Sequence, residues 1–212
     1  MNKSKLKKIY NKIFPSFVFY LEKELKNCNS ILDLGCGPNS PIKDLKNKPY
    51  SVGVDIFQPS INKSKKKRIH NQYFKMDVLK IDKKFKPKSF DCVIAIDLIE
   101  HLTKRTGIIL IKKMERIARK KIIIFTPNGF LKQHEYDNNL NQVHISGWSV
   151  SEMRKMKFKV IGFNGFKKLR GEKGEIKLKP KLFWLIVSDF SQFFLKNNPE
   201  KAFQLLCVKE IK

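Results

Sequence analysis

Asp33-Leu34-Gly35-Cys36-Gly37-Pro38-Asn39-Ser40-Pro41 closes a short apolar run, and its residue types suit a loop that holds a small polar ligand. Glycine directly after a buried strand permits a sharp turn and lets backbone approach a ligand closely. Ser40 is suited to cap the segment that follows, with Pro41 at its first position, where a missing N–H costs nothing. Asp55 ends the next apolar run, 18 residues beyond Gly37 (55 − 37). A carboxylate there offers acceptors to both hydroxyls of a ribose. A dinucleotide loop would read G-x-G-x-x-G, yet the third glycine position, counted from Gly35, is Ser40. Asp33 would also set a negative charge beside a pyrophosphate, which suits NAD poorly and an ammonium-bearing ligand well. Further on, Asp97-Leu98-Ile99-Glu100-His101-Leu102 spaces two carboxylates and an imidazole by three and four residues. On a helical turn these would share one side, as a hard-to-borderline ligand set or an acid–base group.

The elements that must position these residues alternate along the chain. Strands are expected at 30–34, 50–56, 73–78, 90–96 and 121–126, with helix-compatible segments at 41–48, 60–69 and 103–119 between them. Such alternation implies parallel pairing by right-handed crossovers, with helices on both faces. Runs such as Cys92-Val93-Ile94-Ala95-Ile96 fit strands buried on both sides. Residues 127–147 are polar, rich in Asn, Gln and His, and long for a connection, which favours a functional loop. A helix at 149–156, a strand at 158–163, a basic insertion at 165–179, a helix at 181–195 and a strand at 202–208 complete the series. The fold class is therefore α/β, a doubly wound and mostly parallel seven-stranded sheet with an extra N-terminal helix. Residues 1–212 form one domain: a helical extension (1–28), a ligand-binding core (29–126) and an acceptor-side loop with C-terminal strands (127–212).

Composition narrows the classes. The 212 residues are 42% hydrophobic, enough for a core and too many for a disordered chain. Lys and Arg outnumber Asp and Glu by 45 to 19, a formal charge of +26 that favours nucleic acid or an anionic membrane surface. The basic runs 63–68, 83–88 and 116–121 hold one aromatic among them, Phe85, and read as solvated helix faces. His70 beside the first run is expected to be solvated, and His134 to line an entrance. Cys28, Cys36, Cys92 and Cys207 form no CxxC pair, so reduced thiols and a cytoplasmic location are expected. No uncharged stretch reaches the ~20 residues of a spanning helix, and the basic, Pro15-interrupted N-terminus does not read as a signal peptide.

Ile31–Gly37 (ILDLGCG) followed by Val52–Ile56 (VGVDI) resembles the first two motifs of the class I S-adenosylmethionine-dependent methyltransferases. Asp77 resembles that family's acidic residue on the adenine amino group, and 90–96 ending at Asp97 resembles its fourth motif, facing the transferable methyl. The resemblance covers residues 29–163 and implies a Rossmann-like methyltransferase fold that uses S-adenosyl-L-methionine. It places Asp33, Gly35, Cys36, Gly37 and Asp97 at the methionine end, Asp55 and Ile56 at the ribose, and Asp77 and Val78 at the adenine. Pro38-Asn39-Ser40 departs from the family, where many relatives keep more glycine.

Asp97-x-x-Glu100-His101 is similar to the Glu-x-x-Glu-His of two metal-using branches, the ubiquinone-pathway O-methyltransferases and the small-RNA 2′-O-methyltransferases. His144-x-x-x-Trp148 resembles a later metal ligand of the RNA branch. Glu-His-Leu also follows the fourth motif in metal-free relatives, and the preferred reading assigns no metal: His101 and His144 remove a proton and Glu100 orients. The expected reaction is methyl transfer to an oxygen of a small-molecule or saccharide/lipid-pathway acceptor. The alternatives are an RNA methyltransferase, metal-assisted or not, and a non-catalytic cofactor-binding module. The 181–195 helix is expected to pack in the core, with peripheral contact to an anionic membrane as the other reading.

Overall fold

A computed structural model of the chain describes residues 16–135, 140–172 and 174–211. Residues 1–15 of the expected extension and 136–139 of the polar loop lie outside the described residues. Seven strands form one sheet: β1 (Ser30–Leu34), β2 (Tyr50–Asp55), β3 (Gln72–Lys75), β4 (Phe90–Ile96), β5 (Ala118–Pro127), β6 (Lys159–Phe166) and β7 (Ala202–Glu210). Their order is β3-β2-β1-β4-β5-β7-β6. The first five pair in parallel, whereas β7 runs antiparallel to both β5 and β6.

Successive residues of the apolar strands feed two cores, because side chains alternate across a strand. Leu32, Val93, Ile122 and Ile124 point to one side, with Leu110 and Met114 of α3 (Lys104–Ile117). Ile31, Ile94, Ile123 and Phe125 point to the other, with Leu21 and Leu25 of α1 (Phe17–Leu25). Both helices begin on hydroxyl caps: Ser16 accepts from the Phe19 amide and Thr103 from the Thr106 amide. α2 (Gln58–Lys66) links β2 to β3, and α4 (Val150–Lys155) starts with a reciprocal Ser149/Glu152 capping box. All four cysteines are buried and unbridged.

Three expectations are corrected. The 41–48 helix shrinks to one 3-10 turn, Pro41–Asp44, because Pro49 disfavours helical backbone at Lys48 and the chain must extend into β2. Glu100 and His101 lie not on an α-turn but on a short 3-10 turn, Ile99–His101. Asp97 before it has φ of +47°, a left-handed conformation uncommon outside glycine that aspartate tolerates better than most residues. Finally, α5 (Lys181–Leu195) does not bury its aromatic face: Ser188, Ser191 and Leu195 are buried, and Leu182, Phe183, Ile186 and Phe194 are exposed.

Candidate active site

The sheet reverses its winding direction between β1 and β4, where doubly wound sheets open a crevice at their carboxyl ends. Gly35 and Gly37 turn the chain there with φ of +63° and +55°. A Cβ on Gly35 would lie 2.7 Å from Leu98 Cδ1, whereas one on Gly37 would meet nothing closer than 3.9 Å. The space before Gly37 is thus open to a ligand. Asp55 stands at its rim, with Oδ2 accepting from the Gly37 amide at 2.9 Å and Oδ1 from the Phe57 amide at 2.8 Å. Each oxygen keeps a second lone pair for a ribose hydroxyl. Burial raises the Asp55 carboxyl above its usual range, and the Phe57 and Gly37 amides oppose the shift. Cys36 is fixed by its amide on the Val54 carbonyl at 3.0 Å, its thiol buried and pushed upward by desolvation, so it is a wall and no nucleophile. Asp77 caps the next turn through the Leu79 amide at 2.8 Å, with Val78 buried behind it, and Ile56 is exposed beside Asp55. These donors and this cradle fit S-adenosylmethionine.

Asp33 does not reach that space. It is 1% exposed beneath the loop, its Oδ2 3.3 Å from His70 Nε2. His70 is buried, not solvated: Arg68 (φ +50°) turns the chain back after α2 and drives His70 under β2. Gly53 leaves the room, since a Cβ there would sit 2.7 Å from His70 Cδ2. His70 Nδ1 lies 3.2 Å from Ser51 Oγ. Burial favours the neutral form of each partner, pushing Asp33 up to about 7 and His70 down to about 4.

The second cluster is open. Asp97, Glu100, His101 and His144 line a cavity of about 770 Å³, a volume suited to a small molecule. His101 and His144 are 43 residues apart (144 − 101), yet their ring centres lie 4.8 Å from one another. Backbone bonds bring them together: the Ile145 and Ser146 amides both donate to the Glu100 carbonyl, at 2.9 and 3.0 Å. Trp148 anchors the same segment, its indole N–H on the Ile99 carbonyl at 3.2 Å and the Lys104 ammonium 4.3 Å over its ring. His101 Nδ1 lies 3.1 Å from the Val143 carbonyl and His144 Nδ1 2.7 Å from the Leu131 carbonyl. A carbonyl only accepts, so both imidazoles carry their proton on Nδ1 and keep Nε2 as a lone pair. Desolvation lowers both histidines, keeping them neutral, although the carbonyls oppose it.

Glu100 is 1% exposed; Oε2 accepts from Thr126 Oγ1 at 3.0 Å and Oε1 has no partner. Its ligand atom and those of the two histidines lie within 4.8 Å of one another. An unsatisfied buried carboxylate oxygen beside two imidazole lone pairs is a donor set that a divalent cation fits. Burial, then the neighbouring Asp97, raises Glu100 well above the carboxylate range. Asp97 faces the cavity but is crowded by its wall, which pushes it to about 7 against a 3.1 Å bond from Gln204 Nε2.

Sequence reading named only part of this cavity. Gln133, Asn164, Arg170, Glu172, Phe203 and Gln204 also line it. They come from the polar loop, β6, the basic insertion and the start of β7, and only the length and polarity of 127–147 signalled any of them. His134 stands at the entrance, Nδ1 2.9 Å from Glu172 Oε1.

Residues 32–125 match the model of a family described as "Methyltransferase domain". No curated protein sequence matches the chain. Among solved structures it is similar to a SAM-dependent methyltransferase from Archaeoglobus fulgidus, at 17% identity over 95% of this chain and 98% of that one, with a TM-score of 0.57. It is similar to the methyltransferase domain of bacterial CtHen1-CN at 18% identity, 92% and 97% coverage and a TM-score of 0.56. A third likeness is to magnesium protoporphyrin IX methyltransferase from Synechocystis PCC 6803 with bound SAM: 14% identity, 96% and 79% coverage, TM-score 0.54.

Proposed function

Given a class I S-adenosylmethionine-dependent methyltransferase domain, we propose that this enzyme methylates a hydroxyl oxygen of a small polar molecule seated in the 770 Å³ cavity. The observation that carries this reading is the convergence of Glu100, His101 and His144 on that cavity, beside Asp97 at the methyl-facing end of β4. S-adenosylmethionine supplies a methyl made electrophilic by its sulfonium. The residues of the chain do the rest by binding, alignment and proton removal. Gly37 and Asp55 fix the cofactor's nucleoside, and Asp97, held by Gln204, faces its methionine end. His101 and His144 present Nε2 lone pairs that accept the hydroxyl proton as the new C–O bond forms, and Glu100 holds the acceptor side in register. Gln133, Asn164 and Gln204 offer amides to a polar acceptor. Transfer from labelled cofactor to fractionated small-molecule extract tests the proposal. Label appearing only in RNA, with affinity falling linearly against salt on logarithmic axes, would replace it with the reading that the +26 charge suggests. Tight cofactor binding with no transfer to any fraction would reduce the chain to a binding module.

A second reading rests on the orphaned Glu100 Oε1. Glu100, His101 and His144 would together hold a divalent cation, which would lower the pKa of a bound hydroxyl. Chelation separates the two readings: activity unaffected by chelator supports the histidine base. Activity abolished and restored by Mg²⁺ or Mn²⁺ supports the cation.

A further inference from the structure

α5 is reversed relative to a helix that covers a core. Ser188, 0% exposed, and Ser191 face the sheet, while Leu182 and Phe194 are 71% and 73% exposed on the outside. Phe183 and Ile186 share that outer face at helical spacing. The inner face has to be small. A Cβ on Gly165 of β6 would lie 2.0 Å from Ser188 Oγ, and one on Gly162 2.2 Å from the Leu195 carbonyl oxygen. Close packing on β6 therefore explains the serines and leaves the outer aromatics unexplained. Apolar area of this kind, continuous along about 22 Å of helix, is unfavourable in water and marks an interaction surface.

The charge around the patch selects its partner. Lys177, Lys179 and Lys181 lead into α5 with Leu178 exposed among them, and Lys196 follows it. Asp189 is the helix's one acid and is half-buried. We propose that α5 docks this protein on an anionic lipid surface, lying in the headgroup plane with Leu182, Phe183, Ile186 and Phe194 in the acyl boundary and the lysines on lipid phosphates. A second copy would instead bring one lysine rim against another, like charge on like charge. Nucleic acid would take the lysines but leave Leu182 and Ile186 in water. The inner face of the same helix is tied to the acceptor cavity, since Arg170, which lines the cavity, donates from Nη2 to Ser188 Oγ at 3.0 Å.

The test is flotation of the full chain with vesicles of phosphatidylcholine alone and of phosphatidylcholine mixed with phosphatidylglycerol. Partitioning should be at least about tenfold stronger on the anionic vesicles. The pair Ile186→Asp and Phe194→Asp should lower it by about tenfold or more, and Lys177→Gln with Lys179→Gln and Lys181→Gln should remove most of the lipid-charge preference. Calorimetric binding of S-adenosylmethionine, kept in every variant, verifies the fold. Adsorption undiminished in the aspartate pair would show charge alone at work and overturn the proposal. So would equal partitioning on both vesicle types, no partitioning, or a solution dimer that the aspartate pair dissolves.

Discussion

Two carboxylate–imidazole clusters of the described residues lie one strand apart, and they differ mainly in whether they line a cavity. Asp33 and His70 are buried beneath the glycine loop, beside β1 and β2, and do not line the cavity of about 770 Å³. Glu100, His101 and His144 sit at the carboxyl end of β4 and open into a cavity. Desolvation pushes the residues of both clusters toward neutrality. Shifted ionisation alone therefore does not identify a catalytic group; an aligned lone pair with space in front of it does.

Breaking the open cluster should cost most. Glu100→Gln or His144→Ala should lower turnover by about 10²–10⁴-fold while cofactor affinity holds, measured by initial rates and calorimetry. Full turnover in both variants would reduce the cluster to a wall. Asp55→Ala, at the cofactor rim, should weaken S-adenosylmethionine by about tenfold or more, the contribution of a hydrogen bond to a charged acceptor. An unchanged affinity would move the ribose elsewhere.

The buried Asp33–His70 cluster should respond in stability, not in rate. Asp33, raised from 3.8 to about 7, contributes stability that is full below 3.8 and is lost as pH rises through 7. His70, lowered from 6.5 to about 4, contributes stability that is present above 6.5 and lost as pH falls through 4. Between about pH 4 and 6.5 the two slopes oppose one another, so this pair leaves the wild-type profile nearly flat. His70→Phe removes one slope, and its melting temperature should then fall as pH rises from 4 to 7. A variant profile as flat as wild type would deny that burial raises Asp33. Smallest of all, Gln204→Ala should slow turnover a few-fold, since it removes one neutral donor from Asp97.

The first strand–loop–strand unit was legible because its determinants are local. β1 and β4 have the expected bounds, and Gly35, Gly37 and Asp55 lie within one strand–loop–strand unit. The acceptor half depends on long-range bonds that spacing does not encode, such as the amides of Ile145 and Ser146 on Glu100 and Gln204 on Asp97. His70 was misread because a basic neighbourhood suggests water, whereas the missing side chain at Gly53 makes room in the interior. α5 was misread for a different reason. Periodicity reveals two faces of a helix, and only the glycines of β6 decide which one turns inward.

The antiparallel β7 bears on the order of assembly during synthesis. It leaves the ribosome after β6 yet must enter between β6 and β5. Until it does, both of those strands present an unpaired, largely apolar edge, the condition under which nascent sheets mispair or aggregate. The same late strand brings Phe203 and Gln204 to the cavity, so the pocket is finished in the step that closes the sheet. A nascent chain paused before Ala202 would hold the cofactor loop and the two histidines and still lack one wall of its active site.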